Sequence, residues 1–82
     1  MDIRWDLEKN GKLKKSRGVS FEEVLSGELV AVKKHPKRKN QEIMIFHYKS
    51  YFWVVPFVRE KRYLFLKTLF PSRKLTKEFK KK

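Results

Sequence analysis

The fold is decided by residues 42–58, which read EIMIFHYKSYFWVVPFV. Two runs rich in β-branched and aromatic residues, 42–48 and 51–58, are typical of strands. The dipeptide Lys49-Ser50 between them is short enough for a hairpin turn, so the runs predict two antiparallel strands. Pro56 lacks the N–H that a sheet ladder needs, and it predicts either a bulge or an unpaired edge position.

Further strand patterns flank this hairpin on both sides. Residues 29–32 predict a preceding strand, and residues 63–70 predict a following strand after the short turn 59–62. Because the turns are short, these strands are expected to form an antiparallel meander. Residues 3–5 are a candidate for one more short strand.

A first helix is predicted near the N-terminus. Asp6 is a good N-cap for a helix over about residues 7–16. The segment is polar, so we expect it to lean on the sheet through Leu7 and Leu13. Gly18 suits the left-handed position that follows a helix end.

A second helix start is the clearest local feature of the sequence. Ser20 and Glu23 have the spacing of a capping box, in which each side chain bonds the backbone N–H of the other residue. Val19 and Val24 occupy the two positions of a hydrophobic staple. We therefore expect a short helix over residues 21–25.

The chain changes from strand to helix at Pro71. This residue is expected to end the last strand, and Ser72 is a good N-cap for a helix through Leu75 and Phe79, an apolar i,i+4 pair. The predicted fold is therefore one α+β domain over residues 1–82. It has two N-terminal helices, an antiparallel β-meander sheet and a short C-terminal helix on one face.

The composition points to an anionic partner. Lysine and arginine number 22 against 9 acidic residues, which gives the 82 residues a net charge of +13 and a pI near 10.2. Such an excess usually serves nucleic acid, an acidic protein or an anionic membrane face. The absence of cysteine excludes disulfides, cysteine nucleophiles and thiolate metal sites. No apolar segment suits a signal core or a membrane span, so we expect a cytoplasmic protein without membrane contact.

Two basic segments are candidates for phosphate binding. At the start of the last helix, free backbone N–H groups and the helix dipole favour an anion beside Arg73 and Lys74. The basic run over residues 33–39 predicts a loop that contacts a phosphate backbone. A solvated hairpin tip that protects the sheet edge is the alternative for this loop.

Most aromatic residues on the strands are expected in the core, since a small domain needs their area. Tyr48 and Tyr51 flank a turn and have polar tips, so they are better candidates for stacking on unpaired bases. The residues predicted to contact RNA are Lys33, Lys34, Lys37, Arg38, Lys39, Tyr48, Tyr51 and Arg59.

Neither histidine predicts a metal site, because no carboxylate or second histidine stands at ligand spacing. His35 precedes Pro36 in a polar loop and is expected to be exposed. If Ile43 and Ile45 face the core, His47 shares that face and is expected to be a core residue. If the other face of the strand points inward, His47 is expected to be exposed on the same side as these two isoleucines. No motif predicts a cofactor.

One chemistry that needs neither metal nor cofactor is RNA cleavage in which the 2′-OH attacks the adjacent phosphorus. The protein then orients the strand, exchanges protons and stabilises the extra negative charge on the phosphate oxygens. Arg73, Lys74 and Lys67 are the candidate catalytic residues, with Arg59 and Lys49 as weaker candidates. Composition alone does not rank this chemistry above passive binding of nucleic acid.

Several short motifs follow one another in a distinctive order. They are Arg4-Trp5-Asp6 with Lys9-Asn10, then RGVSFEEV over residues 17–24, then SRKLT over residues 72–76 after the strands. This order resembles that of the BrnT-like toxins of type II toxin–antitoxin modules. The Arg-Lys pair of the last motif matches the usual ending of the family, whereas Pro71 and Leu75 depart from it. The resemblance implies a RelE-type ribonuclease fold and a small ribbon-helix-helix antitoxin that masks the toxin and represses their operon.

Three functions follow from these observations. The leading hypothesis is a toxin that cleaves RNA without a metal, with Arg73 holding the scissile phosphate and Lys74 or Lys67 stabilising charge or moving protons. A cognate antitoxin would neutralise it, and operator DNA would be contacted only through the antitoxin complex. The alternative is a non-catalytic basic module that binds RNA or DNA. A third reading is an interaction protein whose basic surface docks an acidic partner.

Overall fold

The computed structural model describes residues 2–80. Nine elements follow one another along this part of the chain: β1 (Asp2–Trp5), α1 (Leu7–Arg17), α2 (Phe21–Leu25), β2 (Glu28–Lys34), β3 (Glu42–Tyr48), β4 (Tyr51–Arg59), β5 (Tyr63–Leu66), β6 (Phe70–Pro71) and α3 (Arg73–Lys80). The α+β class and the order of the predicted elements are confirmed.

The strands form one six-stranded sheet in the order β1-β5-β4-β3-β2, and β6 pairs with β4. The consecutive pairs from β2 to β5 are antiparallel, as the meander predicts. β1, however, pairs in parallel with β5, from Asp2 opposite Tyr63 to Trp5 opposite Leu66. The sheet is therefore mixed. The prediction of a purely antiparallel sheet is wrong because this pairing joins two segments far apart in the sequence, and no local pattern reports it.

The central hairpin matches its prediction. Lys49 and Ser50 have φ angles of 51° and 63°. Positive φ at both central residues is what a type I′ turn requires, and its twist matches that of the strands. The register runs without a shift from Tyr48 opposite Tyr51 to Glu42 opposite Phe57.

Pro56 lies where β4 has no strand partner on one side, and it forms no bulge with β3. It lies in register opposite Ile43 of β3, and its carbonyl oxygen accepts the Lys67 N–H at 2.8 Å on the other side of β4. A strand residue directs its N–H and C=O groups to the same neighbour, so the missing N–H also faces that side. There β4 pairs with β5 at residues 57–59 and with β6 at residues 53–54, and Pro56 lies in the gap between them.

The main core lies between the sheet and the first two helices. Its sheet side chains alternate along β3 and β4. The helices contribute Leu13, Phe21 and Val24, and the link between them contributes Val19. Leu13 is buried as predicted, but Leu7 is 82% exposed, and its predicted contact with the sheet is wrong. Residues six apart on a helix point about 120° apart around its axis, so these two leucines cannot both face the sheet.

The predicted helix caps are confirmed. Asp6 Oδ1 accepts the Lys9 N–H at 3.0 Å, and Gly18 ends α1 with a φ of 80°. In α2, Ser20 Oγ accepts the Glu23 N–H at 3.3 Å, and Glu23 Oε1 accepts the Ser20 N–H at 3.1 Å. Each helix therefore begins at a residue that satisfies an otherwise free backbone donor.

Polar side chains of α1 hold the start of α2. Asn10 Oδ1 accepts the Phe21 N–H at 2.7 Å, and the Asn10 side-chain amide donates to Glu22 at 2.5 Å. Lys14 Nζ lies 2.6 Å from Glu23 Oε1. The bond from Lys14 and the N-cap backbone N–H lower the pKa of Glu23 to about 2. The two acids of α2 are thus bound within the N-terminal half of the chain.

The predicted strand over residues 63–70 is interrupted. Residues 67–69 leave the ladder and Leu69 is fully buried in the main core, which separates β5 from β6. Pro71 ends the last strand, as predicted, although it is itself the last paired residue of β6, opposite Trp53. The predicted contact of Leu75 with Phe79 lies outside the described residues, since the Phe79 side chain is not among them.

Candidate functional site

Hydrogen bonds fix the first turns of α3 to Phe52, near the start of β4. Ser72 Oγ accepts the Leu75 N–H at 3.2 Å, which confirms Ser72 as the N-cap. Thr76, only 6% exposed, donates from Oγ1 to the Ser72 carbonyl at 2.8 Å and accepts the Phe52 N–H at 3.1 Å. The helix is thereby seated on the sheet face opposite α1 and α2, where Phe52 and Val54 are also buried.

Arg73 and Lys74 form the first turn of α3, and both are exposed. Neither forms an ion pair with a carboxylate of residues 2–78. The first N–H groups of a helix have no partner within the helix. The two cations therefore stand at a helix start whose dipole favours an anion, and their part in catalysis stays a prediction.

Lys67 lies apart from this helix start. Its N–H donates to Pro56, whereas the Ser72 N–H donates to Phe52, both at 2.8 Å. The two acceptors are four residues apart on β4, so the two backbone positions are about 13 Å apart. The three predicted catalytic cations are thus divided between the two ends of β6.

A cleft of about 330 Å³ opens on the α3 face of the sheet, at the end where Lys67 lies. Its lining combines two cations, three polar side chains and two apolar ones: Arg38, Lys67, His35, Gln41, Thr68, Pro56 and Phe70. No carboxylate is among these residues. Hydrogen-bond donors and positive charge therefore dominate a site that also has an apolar wall.

His35 is held in one orientation by the loop that it begins. Its Nδ1 accepts the N–H groups of Lys37 and Arg38 at 3.0 and 3.1 Å. Its own N–H donates to the Gln41 carbonyl at 3.0 Å, which closes the loop. An Nδ1 that accepts is unprotonated, so this network assigns the proton of the neutral ring to Nε2. His35 is half-buried, whereas it was predicted to be exposed.

The net positive charge of the chain resides in its C-terminal part. Residues 1–32 carry six acidic and six basic side chains, so their formal charges cancel. Residues 33–82 carry sixteen basic side chains against three acidic ones, and the net charge of +13 resides there. The segments that form the cleft and α3 belong to this basic part. A polyanion is therefore attracted to the α3 side of the molecule.

The basic run is only partly a loop. β2 extends through Lys34, beyond the predicted end at residue 32, so Lys33 and Lys34 belong to a strand. Lys37, Arg38 and Lys39 are exposed in the loop, as predicted, and Arg38 also lines the cleft. Lys67 Nζ lies 5.5 Å from the centroid of the Phe65 ring.

Three other predicted RNA contacts lie elsewhere. Arg59 bonds Glu42 through Nε at 2.5 Å and Nη2 at 3.3 Å, and this carboxylate raises the pKa of Arg59. Tyr48 and Tyr51 are half-buried and pack against the main core, on the face opposite the cleft. Tyr48 Oη lies 3.5 Å from Glu23. The structure does not bring these residues together with Lys67 or Arg73.

His47 and Phe70 are both exposed on the face of the sheet opposite the main core. Met44 and Phe46 of β3 pack in the main core, so His47 is exposed on the other face, which was the second predicted case; its ring lies 4.8 Å from Phe52. Most strand aromatics were expected in the core, and Phe70 is an exception, 38% exposed in the cleft wall. The uncharged residues of the cleft lining were missed as site residues, because the loop, the break after β5 and β6 meet only in the folded chain. No local sequence signal reports that meeting.

Comparison of the chain with protein-family models, curated proteins and solved structures finds no match. The resemblance to BrnT-like toxins therefore stays a prediction that rests on the motifs alone. No helix within residues 2–80 has the length and apolar character needed to cross a membrane.

Proposed function

We propose that the chain is the toxin of a type II toxin–antitoxin module and cleaves RNA in the cytoplasm without a metal. In this proposal the RNA strand lies along β6, from the cleft at one end to the start of α3 at the other. Arg73 holds the scissile phosphate, and Lys74 stabilises the charge that develops on its oxygens. Lys67 binds a neighbouring phosphate of the same strand.

The observation that supports this proposal best is the set of cations without a carboxylate partner on the α3 side. Arg38, Lys67, Arg73 and Lys74 form no ion pair among residues 2–78. The ion pairs found there belong to other parts of the chain, such as Lys14 with Glu23 and Arg59 with Glu42. Unpaired cations gain most from phosphate, because each neutralised phosphate releases a counterion.

The proposed reaction uses the 2′-OH of the RNA itself as the nucleophile. The 2′-oxygen attacks the adjacent phosphorus and loses its proton to solvent water. The bond from phosphorus to the 5′-oxygen breaks, and the 5′-oxygen takes a proton from solvent water. The products end in a 2′,3′-cyclic phosphate and a 5′-OH. Fixed cations beside the phosphate oxygens lower this barrier, since they are already oriented when negative charge develops on these oxygens.

The antitoxin is part of the same proposal. A domain of charge +13 binds nucleic acid without selection unless an acidic partner covers it. The BrnT-like motifs favour a ribbon-helix-helix antitoxin, and operator DNA is then contacted through the complex. A RelE-type relationship of the fold belongs to this proposal.

Growth arrest and RNA cleavage test the proposal together. Induced expression of the parent chain is expected to stop bacterial growth, and Arg73→Ala is expected to abolish arrest and cleavage while the protein stays folded. Arg17→Ala is the matched control, because Arg17 is an exposed arginine of α1, in the part of the chain whose formal charges cancel. An Arg73→Ala protein as toxic as the parent contradicts the assignment.

A second function, passive binding of RNA or DNA, is favoured by one observation. His35 Nδ1 already accepts two backbone N–H groups, so the cleft histidine is not arranged as a general base. Under this function RNA migrates more slowly in a gel but stays intact. If the affinity for RNA does not change across a salt titration, the basic surface is instead favoured as a docking site for an acidic protein.

A further inference from the structure

We propose that the cleft is a site for one unpaired nucleotide of RNA. Arg38, Lys67 and the Nε2–H of His35 bind its phosphate, and its base stacks on Phe70. The inference rests on the proposed RNA-binding function, and it deepens that function by naming single-stranded RNA as the substrate class.

The first argument is the chemistry of the lining. Two cations and the polar side chains of Gln41 and Thr68 face a space of about 330 Å³, which falls in the range of pockets for small ligands. No lining residue is acidic, so the site favours an anion. The apolar wall formed by Pro56 and Phe70 is of no use to a bare phosphate. It suits a ligand that has both a phosphate and a flat apolar part.

The second argument is the fixed orientation of His35. Its Nδ1 is occupied by the two loop N–H groups, and its Nε2 makes no hydrogen bond to another group of residues 2–78. The ring therefore offers one oriented donor and no acceptor. Such a donor matches a phosphate oxygen, and it needs no rearrangement of the loop to bind one.

The third argument is the exposure of Phe70. An aromatic residue that is 38% exposed and lines the cleft with two cations provides a platform for a base. A base can reach such a platform only when it is unstacked and unpaired. The site therefore selects single strands, loops or bulges over continuous duplex.

The test compares a single-stranded and a duplex RNA, both 2′-O-methylated so that neither can be cleaved by 2′-OH attack. Their dissociation constants are measured by fluorescence polarisation at one salt concentration. The parent is expected to bind the single strand more tightly than the duplex. Phe70→Ala is expected to weaken single-strand binding roughly 5- to 150-fold, the range of base stacking, with little change for the duplex. Leu29→Ala is the control, since Leu29 is an exposed apolar residue of β2, away from the cleft.

His35 is tested by a pair of substitutions that separate its two nitrogens. His35→Asn keeps an acceptor near the Nδ1 position and removes the Nε2–H donor. It should therefore retain the melting temperature of the parent but weaken binding of the single strand. His35→Gln keeps a donor near Nε2 and should bind more tightly than His35→Asn, even where the loop is less stable.

The outcomes distinguish this inference from the proposed function. If Phe70→Ala and His35→Asn bind the single strand as the parent does, the nucleotide site is wrong, whether or not the protein cleaves RNA. If both variants lose single-strand affinity but the parent leaves unmodified RNA intact, the site stands and the ribonuclease proposal fails. Equal affinity of the parent for single strand and duplex also overturns the site.

Discussion

Gly27 lies where the chain passes from α2 to β2, close to the end of β3. A Cβ atom at this position would overlap the carbonyl oxygen of His47 and would lie 3.1 Å from Tyr48 Cβ. The obstacle is mainly the backbone of His47, which is paired with β2 on one side and with β4 on the other, so it cannot rotate away. We expect Gly27→Ala to destabilise the protein by about 1–3 kcal/mol, the usual cost of forcing extra volume into a packed site.

Gly11 provides the matched control because it is the same substitution in open space. It lies inside α1, and a Cβ there would meet no atom within 4 Å. Alanine is favoured over glycine in a helix interior by roughly 0.5–1 kcal/mol, so Gly11→Ala is expected to stabilise. The two variants change one methyl group each and should shift stability in opposite directions.

Urea denaturation followed by circular dichroism measures both changes. With a slope of about 1 kcal/mol per molar for a small domain, the midpoint should fall by roughly 1–3 M for Gly27→Ala and rise by about 0.5–1 M for Gly11→Ala. A Gly27→Ala protein as stable as the parent, or equal midpoints for the two variants, would refute the packing argument.

Three further predictions concern the helices and the basic face. The folded pKa of Glu23 is lowered from 4.5 to about 2, so its contribution to stability is present above pH 4.5 and is lost as the pH falls towards 2. Glu23→Gln should therefore reduce the melting temperature at pH 7 and make it less sensitive to acid, and an unchanged acid limb would contradict this. Thr76→Val removes two hydrogen bonds that hold α3, and it should cost about 1–3 kcal/mol in urea denaturation and speed hydrogen exchange in α3, whereas Thr76→Ser should recover most of the loss. The association constant of single-stranded RNA falls as the salt concentration rises, and Lys67→Ala should make the slope of log K against log salt less negative by about 0.7, the value of one phosphate contact. An unchanged slope would exclude that contact.

The parts of the fold that sequence could predict depend on residues close together in the chain. Asp6 and the pair of Ser20 with Glu23 cap helices through bonds that span three residues. Lys49-Ser50 joins two strands whose pairing follows directly from the turn. In each case the chemistry of a few adjacent side chains fixes the backbone, so the prediction needs no knowledge of the remaining chain.

The parts that sequence could not predict depend on contacts between distant segments. The parallel pairing of β1 with β5 joins two strands that are separated in the sequence by two helices and three other strands. The cleft needs the loop at His35 beside Phe70, and the break at residues 67–69 decides how far Lys67 lies from α3. The candidate cations could be named from the sequence, but their grouping could not, because the register of β6 on β4 sets it.

The central claim is that the basic α3 side cleaves RNA with no metal. The most direct measurement incubates the purified protein with a single-stranded RNA in excess EDTA and identifies the ends of the products by mass spectrometry. The account predicts fragments with 2′,3′-cyclic phosphate and 5′-OH ends, and their loss with Arg73→Ala but not with Arg17→Ala. RNA that remains intact, or fragments that carry 5′-phosphate ends, would contradict it.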